Sequence, residues 1–293
     1  MARFAVAGAT GLVGTRLVSL LRERGHQVQR LVRRNPSEPG DLLWSPGSTA
    51  NSRQLEGFDG VANLAGSSIA SGVWTRNGRR EVLESRIRTT LDLVEAARRA
   101  RLPVFVNASA VGIFGDRGEE PLDETSLPGS GFLASVCSRW EEAAEVGDGT
   151  RSARIRLATV LSPAGGALGP LRRVFRLGLG GSIGGGRQWF PWISLDDAAA
   201  VFARALEDST ISGPIVACSP RTVRQGEFAS ILGRSLGRPA MVPLPAFVLR
   251  ALPGRIHELL LGSQRCRPAR LESIGFGWND PDLAGTLSRF NAP

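Results

Sequence analysis

The sequence predicts an α/β fold in which a parallel sheet carries helices on both faces. The first observation is the stretch Phe4–Gly14, an apolar run followed by glycines at positions 8, 11 and 14. The second is the segment from Thr15 to Arg24, which has apolar side chains at helical spacing. The third is the alternation of strand-like and helical segments over the first 161 residues. This alternation is typical of a doubly wound, Rossmann-like parallel sheet.

The length of the chain predicts more than one structural unit. At 293 residues, it is long enough for a Rossmann domain over residues 1–161 and a smaller substrate or lid lobe over residues 162–293. The lobe is expected to be interleaved with the Rossmann body and to end in a separate tail at about residues 240–293. No apolar run approaches membrane-spanning length, and we recognise no leader segment. We therefore expect a cytoplasmic protein with no membrane partner.

The distribution of cysteine, histidine and arginine excludes several classes of site. Cys137, Cys218 and Cys266 show no CxxC spacing, so we expect reduced thiols and no metal site. His26 and His257 are the two histidines, which argues against a Ser-His-Asp triad. The net charge is +9, but the arginines are scattered and do not form a basic stripe. We therefore expect no nucleic-acid partner.

The glycine stretch predicts a dinucleotide site. A glycine at position 8 permits a tight turn, Gly11 allows backbone to approach a pyrophosphate, and Gly14 allows the helix to pack closely on the strand. Free N–H groups at the start of the helix then face the phosphates. The alternative is an ordinary strand–helix turn that requires small residues. The predicted cofactor residues of this loop are Gly8, Thr10, Gly11, Leu12, Val13 and Gly14.

The next strand, predicted at Gln27–Arg33, indicates which cofactor is bound. In dinucleotide-binding folds an acidic residue at this strand end binds the 2′-hydroxyl of NAD, whereas arginine accommodates the 2′-phosphate of NADP. Here the strand ends in Arg33 and Arg34, which favours NADP(H). The alternative is a solvated strand end.

The remaining elements follow from apolar periodicity and from glycine- or proline-rich breaks. After a loop at 35–57 with a short strand at 42–44, we predict strands at 60–66, 103–109 and 154–161. The expected helices are at 79–99, 132–144, 196–207 and 227–237, and an acidic loop lies at 116–124. From Ser162 to Trp192 the chain is glycine-rich, and this segment either covers a ligand site or is a mobile loop.

Three motifs resemble the extended short-chain dehydrogenase/reductase superfamily: Gly8–Gly14, Asn63-Leu-Ala-Gly66, and the strand end Asn107–Gly115. Further motifs narrow the resemblance. Phe132–Glu141, Glu258–Arg265 and Gly275-Phe276 are similar to the epimerase-like subfamily with a C-terminal DUF1731 domain, also called cell-division-inhibitor-like or family 39U.

The resemblance implies NADP(H) binding and a wider set of contacts. Besides the glycine loop and the arginine pair, it implies that Leu64, Ala65, Gly66, Glu81, Arg86 and Cys137 contact the cofactor. Relatives often dimerise through helices of the Rossmann domain, so the resemblance is compatible with a monomer or a homodimer.

The expected catalytic motif of the superfamily, Tyr-x-x-x-Lys with a serine, is missing. The chain contains neither tyrosine nor lysine; Leu133 and Cys137 stand at the tyrosine and lysine places, and Ser109 or Ala110 at the serine place. Ser109 and Cys137 are the candidate catalytic residues. A cysteine on a helix is most often a small buried apolar residue, which is the alternative for Cys137, and a backbone-bonding role is the alternative for Ser109. Other candidate proton donors are Asp116, Asp123, Glu124 and a substrate-bound water.

Three functional hypotheses remain open from the sequence. The chain is an NADP(H)-dependent oxidoreductase or epimerase-like enzyme with an unusual proton donor, a non-catalytic NADP(H)-binding sensor, or a scaffold. A nucleotide-sugar substrate follows only from analogy of fold, so the small-molecule substrate is not identified.

Overall fold

The computed structural model describes residues 1–34, 36–45, 47, 54–67, 75–147, 149–252, 254 and 256–291. Residues 48–53 of the expected loop at 35–57 lie outside the described residues. The predicted α/β class is confirmed, because a seven-stranded parallel sheet forms the centre of the molecule. Its strands are β1 (Arg3–Ala7), β2 (Gln27–Val32), β3 (Leu42–Leu43), β4 (Gly60–Asn63), β5 (Val104–Ala110), β7 (Arg151–Leu157) and β12 (Gly213–Ala217).

Helices cover both faces of this sheet. Two pairs of helices pack against each other: Leu12–Glu23 against Leu195–Glu207, and Arg76–Arg99 against Phe132–Ala143. The helices are α1 (Leu12–Glu23), α2 (Arg76–Arg99), α3 (Phe132–Ala143), α4 (Leu168–Arg176), α5 (Leu195–Glu207), α6 (Gln225–Ser235), α7 (Ala246–Ala251), α8 (Ile256–Leu261), α9 (Ala269–Ser273) and α10 (Leu283–Asn291). Among the described residues, no helix is both long and apolar enough to cross a bilayer.

The side chains of β1 point alternately to the two faces of the sheet, and both sets are buried under helices. Phe4 and Val6 join the core cluster that includes α1 and α5, whereas Ala5 and Ala7 join the cluster formed with α2. Successive strand side chains point to opposite faces. A strand that is apolar at every position is therefore buried from both sides.

The order of the strands places a crevice at the carboxyl ends of β1 and β4. Across the sheet the order is β12, β7, β5, β4, β1, β2, β3. The strand β1 therefore lies between β2 on one side and β4 on the other, so the connections that follow β1 and β2 run in opposite directions across the sheet. Ligands of open α/β sheets bind at this point, where the order reverses.

A second, smaller core lies beyond the sheet. It contains Trp192, Phe175, Phe228 and Leu287, all of which are buried. Short strands connect it: β8 (Thr159–Ser162), β9 (Gly165–Gly166) and β11 (Trp192–Ser194) form one sheet, β10 (Trp189–Phe190) pairs with β13 (Val223–Arg224), and β6 (Pro121–Leu122) pairs with β14 (Arg265–Cys266).

Two sequence-based expectations were wrong in detail. The single strand predicted at 154–161 is two strands, because the chain leaves the central sheet at Ala158, whose N–H still bonds to Ala217, and Thr159 turns to pair with the chain near Pro191. The strand predicted at 60–66 ends at Asn63. The glycine-rich segment from Ser162 to Trp192 contains β9, α4 and β10. The strand β12 was not predicted, because its short sequence Gly-Pro-Ile-Val-Ala carries no clear pattern.

Candidate functional site: a cleft at the sheet crevice

A cleft of about 750 Å³ opens at the carboxyl ends of β1, β2 and β4. Glycine backbone forms one wall, and the ends of β2 and β4 and the start of α2 form the others. Its lining residues are Ala7, Gly8, Thr10, Gly11, Leu31, Val32, Arg33, Arg34, Trp44, Ser45, Leu64, Ala65, Gly66, Ser67, Glu81, Ser85 and Thr89.

The glycine turn is required by contact distances as well as by backbone conformation. Gly8 has φ of +76°, and a Cβ there would lie 2.6 Å from the carbonyl carbon and oxygen of Leu64. A Cβ at Gly14 would overlap the carbonyl oxygen of Gly8. The two glycines therefore let β1, β4 and α1 converge, as the sequence motif predicts.

The start of α1 supplies unoccupied donors beside the cleft. Gly11 is the N-cap and offers no side chain to the helix; its own N–H bonds to Gly8 at 3.0 Å. The first N–H groups of a helix have no partner within that helix, and those of Leu12 and Val13 bond to no described acceptor. Together with the helix dipole, they favour an anion at this position.

Two arginines at the end of β2 are exposed on the opposite wall. Arg33 and Arg34 line the cleft, and neither forms an ion pair or hydrogen bond within the described part of the chain. Arg30, on the same strand, is bound by Asp41 at 2.6 Å and by Glu38 at 2.6 Å, and its hydrogen bond lowers the pKa of Asp41 well below the usual range. At the end of β2 the cleft therefore presents two guanidinium groups, unpaired within the described residues, that could bind a phosphate.

A buried network fixes the backbone between these walls. The Asn63 amide donates to Thr90 Oγ1 at 2.8 Å and to Asn107 Oδ1 at 2.7 Å, and its own oxygen accepts from the N–H of Ala65 at 3.1 Å. Trp140 Nε1 also donates to Thr90 at 3.0 Å. Because every member has a partner, the network holds the turn at Leu64-Ala65 rigidly.

The structure brings most of the predicted cofactor residues together. Those that line the cleft are Gly8, Thr10, Gly11, Arg33, Arg34, Leu64, Ala65, Gly66 and Glu81. Those that are not part of its lining are Leu12, Val13, Gly14, Arg86 and Cys137. Gly14 acts through packing, and Leu12 and Val13 offer backbone N–H groups at the helix start.

Arg86 lies beneath the rim of the cleft. It is 7% exposed and donates from Nη1 to the carbonyl of Val82 at 2.9 Å, while its Nε has no partner. Its guanidinium stacks over the Trp140 ring at 4.9 Å and would contact a Cβ placed on Gly66. Burial lowers the pKa of Arg86. This charge therefore lies next to Gly66, and no carboxylate of the described residues pairs with it.

The two candidate catalytic residues are both buried. Cys137 is 3% exposed, and burial raises the pKa of its thiol to about 12, so the reactive thiolate is scarce at neutral pH. Ser109 is 2% exposed and donates to Glu141 Oε1 at 2.7 Å. Arg156 binds the same carboxylate through Nε at 2.9 Å and Nη2 at 3.0 Å. These surroundings favour structural roles for both residues.

The carboxylates of the acidic loop are engaged in holding the chain together. Asp116 accepts from the N–H of Ser263 at 3.2 Å, and Asp123 accepts from Thr125 at 2.6 Å. Glu124 accepts from the N–H groups of Val216 at 2.9 Å and Arg270 at 3.2 Å, and burial raises its pKa. The described residues contain no cluster of three or more His, Cys, Asp or Glu suited to a metal ion.

We predict that Cys137→Ala leaves cofactor affinity within about twofold of the wild type, because the thiol is packed in the core and protonated. Its cost is in stability, of the order of 1 kcal/mol for removing a small buried group. Cofactor titration and chemical denaturation measure the two effects. A large loss of turnover with unchanged binding and stability would instead show that the thiol acts in catalysis.

Sequence reasoning missed the remainder of the lining. Trp44, Ser45, Ser67, Ser85 and Thr89 all face the cleft. Ser67 Oγ lies 3.1 Å from Ser85 Oγ, which joins the segment after β4 to α2. The available signal was the spacing of Ser85 and Thr89, four residues apart on one face of the predicted helix.

Comparison with known proteins identifies the family. Residues 4–217 match the NAD dependent epimerase/dehydratase family, and residues 244–290 match the domain of unknown function DUF1731. Epimerase family protein Mb2239 of Mycobacterium bovis is 38% identical over 287 residues, covering 97% of this chain and 95% of that protein. The human epimerase family protein SDR39U1 is 37% identical over 297 residues, covering 99% and 100%.

A solved structure is similar over the same length. The crystal structure of human SDR39U1 (isoform 2) with NADPH matches with a TM-score of 0.91 and 35% identity, covering 99% of each chain. The resemblance seen in the sequence motifs is thus confirmed from the glycine loop to the tail. This chain belongs to the NAD dependent epimerase/dehydratase family, among the epimerase family proteins that end in a DUF1731 domain.

Proposed function

We propose that the cleft binds NADP(H), with the 2′-phosphate on Arg33 and Arg34. The observation that carries this proposal is the pair of exposed arginines at the end of β2, which line the cleft and have no partner within the described residues. An arginine at this strand end is the feature that accommodates a 2′-phosphate in dinucleotide folds.

Other features of the cleft fit the same cofactor. The N–H groups at the start of α1 suit a pyrophosphate, and the side-chain-free surface of Gly8 and Gly11 allows it to approach. A volume of about 750 Å³ falls within the range of cofactor sites. The human relative with 35% identity was crystallised with NADPH, which supports the assignment.

We further propose that the protein is an oxidoreductase or epimerase-like enzyme whose substrate lies between the central sheet and those parts of residues 162–293 that lie outside it. When bound, the nicotinamide would supply hydride transfer, and the protein would supply binding and orientation. Holding two reactants in contact accounts for much of such catalysis, so the reaction does not require the missing tyrosine. Because Ser109 and Cys137 are buried, we propose a substrate-bound water as the proton donor.

A second function, a non-catalytic NADP(H) sensor, is favoured by a specific observation. The chain has no tyrosine or lysine, Cys137 is buried with a raised pKa, and the Ser109 hydroxyl is bound to Glu141. None of these groups offers the proton transfer that the superfamily uses. The sensor hypothesis therefore shares the cofactor site and differs only in turnover.

The deciding experiment measures binding and turnover on one preparation. We expect NADPH to bind at least tenfold more tightly than NADH in a fluorescence titration. NADPH oxidation is then followed with a panel of carbonyl compounds and nucleotide sugars. Turnover on any compound supports the enzyme, and binding without turnover supports the sensor. Equal affinity for both cofactors, or no binding, would contradict the proposed site.

A further inference from the structure

Large apolar side chains are exposed mainly on one part of the molecule. Of the thirteen that are exposed in the described residues, nine lie between 174 and 179 or between 241 and 259. Soluble monomers rarely expose large contiguous apolar patches, and those that exist mark interaction sites. The most exposed members are Leu177 at 75%, Met241 at 75% and Phe247 at 72%.

Backbone hydrogen bonds bring these two segments side by side. The N–H of Val242 donates to Gly180 at 3.0 Å, and the N–H of Leu244 donates to Ser182 at 2.8 Å. A bridge between Ile183 and Leu244 continues the same pairing. The two segments are therefore adjacent, and we call their exposed apolar residues together with the arginines beside them the basic apolar face; its apolar members are Val174, Leu177, Leu179, Met241, Val242, Leu244 and Phe247.

The chain segments that carry this face contain basic but no acidic residues. Residues 163–195 and 228–257 contain no aspartate or glutamate, and they contain eight arginines. Arg173, Arg176, Arg238 and Arg250 are exposed and make no ion pair or hydrogen bond with any described side chain. Exposed arginine elsewhere in the chain is commonly paired, as Arg80 is with Glu84 at 2.6 Å. The face therefore combines apolar side chains with arginines that form no ion pair among the described residues; the nearest carboxylates shown are Asp116 and Glu119, which line a pocket together with Arg250.

We propose that the basic apolar face binds reversibly to the surface of an anionic lipid bilayer. Leucine, methionine and phenylalanine side chains would enter the boundary between headgroups and acyl chains, while the arginines bind lipid phosphates and keep their charges in water. This mode of binding needs an exposed surface and no membrane-spanning segment.

A second copy of the chain is a poorer occupant of this face. In a two-fold dimer the same patch meets itself, so arginines of both copies would be brought together, and residues 163–195 and 228–257 supply no carboxylate to pair with them. An anionic bilayer neutralises those charges and adapts to side chains from two segments. None of Leu177, Met241 and Phe247 lines the cofactor cleft, so binding of a bilayer here does not depend on NADP(H) binding in that cleft.

Vesicle flotation tests the proposal directly. The full-length protein is mixed with vesicles of 70% phosphatidylcholine and 30% phosphatidylglycerol, or of phosphatidylcholine alone. We expect flotation with the anionic vesicles only, and loss of it at 1 M salt, where the Debye length falls to about 3 Å. Because each basic residue near such a surface contributes roughly a fivefold factor, Arg173→Gln with Arg176→Gln should weaken partitioning about 25-fold.

Matched variants separate the contributions. Met241→Ser with Phe247→Ser should weaken partitioning at least about tenfold, because buried apolar area is lost. The control variant combines Leu127→Ser with Arg88→Gln. Leu127 is 76% exposed but lies next to the acidic loop, so we expect this variant to partition onto vesicles like the wild type. Circular dichroism establishes that each variant is folded.

Several outcomes would overturn the proposal. Failure of the wild type to float with anionic vesicles would exclude the bilayer as the occupant. Equal flotation with neutral vesicles would remove the role of the arginines. A dimer in light scattering that Met241→Ser with Phe247→Ser dissociates, without flotation of the wild type, would assign the face to a second copy.

Discussion

Glu141→Ala is expected to lower the free energy of unfolding by about 3–5 kcal/mol. The Glu141 carboxylate accepts three hydrogen bonds, one from Ser109 and two from Arg156. Its side chain is 10% exposed, and that of Arg156 is 7% exposed. Removal of the carboxylate leaves a buried guanidinium without its counter-charge, which costs more than the pair itself contributes.

Chemical denaturation monitored by fluorescence measures this effect. Glu142→Ala is the matched control, because Glu142 is the next residue on the same helix and is exposed; we expect a change within about 0.5 kcal/mol. Glu141→Met combined with Arg156→Met should recover most of the loss, since no charge is left unpaired. A loss below 1 kcal/mol for Glu141→Ala would show that water reaches Arg156 and that the network is not closed.

The same network bears on Ser109. If Ser109 only anchors Glu141, Ser109→Ala should lower stability by about 1 kcal/mol and leave any turnover intact. Loss of turnover at unchanged stability would instead restore Ser109 as a catalytic candidate. The comparison is informative because the hydroxyl bonds to a carboxylate in the core and is not part of the cleft lining.

Arg33→Ala is expected to weaken NADPH binding by about 10- to 100-fold, while NADH binding stays within about threefold. A charge-assisted hydrogen bond is worth about 1.5–3 kcal/mol, and only NADPH carries the 2′-phosphate. Arg33 has no partner within the described residues, so its removal breaks no internal contact. Titration calorimetry with both cofactors measures the two affinities on one protein.

The control for this prediction is Arg88→Ala, which removes an exposed arginine of α2 that is not part of the cleft lining. We expect it to change neither affinity. The variant with both Arg33→Ala and Arg34→Ala should approach equal affinity for the two cofactors. Similar losses for NADPH and NADH on Arg33→Ala would remove the assignment of the 2′-phosphate to the end of β2.

The sequence alone determined the features that depend on local chain geometry. The glycines at positions 8, 11 and 14 identify a strand–turn–helix, and at Gly8 and Gly14 a Cβ would overlap backbone where β1, β4 and α1 converge. Arg33 and Arg34 were found because the end of β2 has a fixed place in this fold. The motifs of the tail likewise identified the DUF1731 domain. These signals lie within short stretches, so spacing was sufficient to read them.

The tertiary structure decided what depends on distant contacts. Whether Cys137 is reactive depends on burial, and its pKa is raised by neighbours that no spacing reveals. Ser109 is bound by Glu141, 32 residues away along the chain, and Glu124 by Val216, 92 residues away. The joining of residues 180–184 to 242–244 created an exposed surface from two unrelated segments. Such pairings depend on the packing of the whole chain, because burial and counter-charges are properties of a folded neighbourhood.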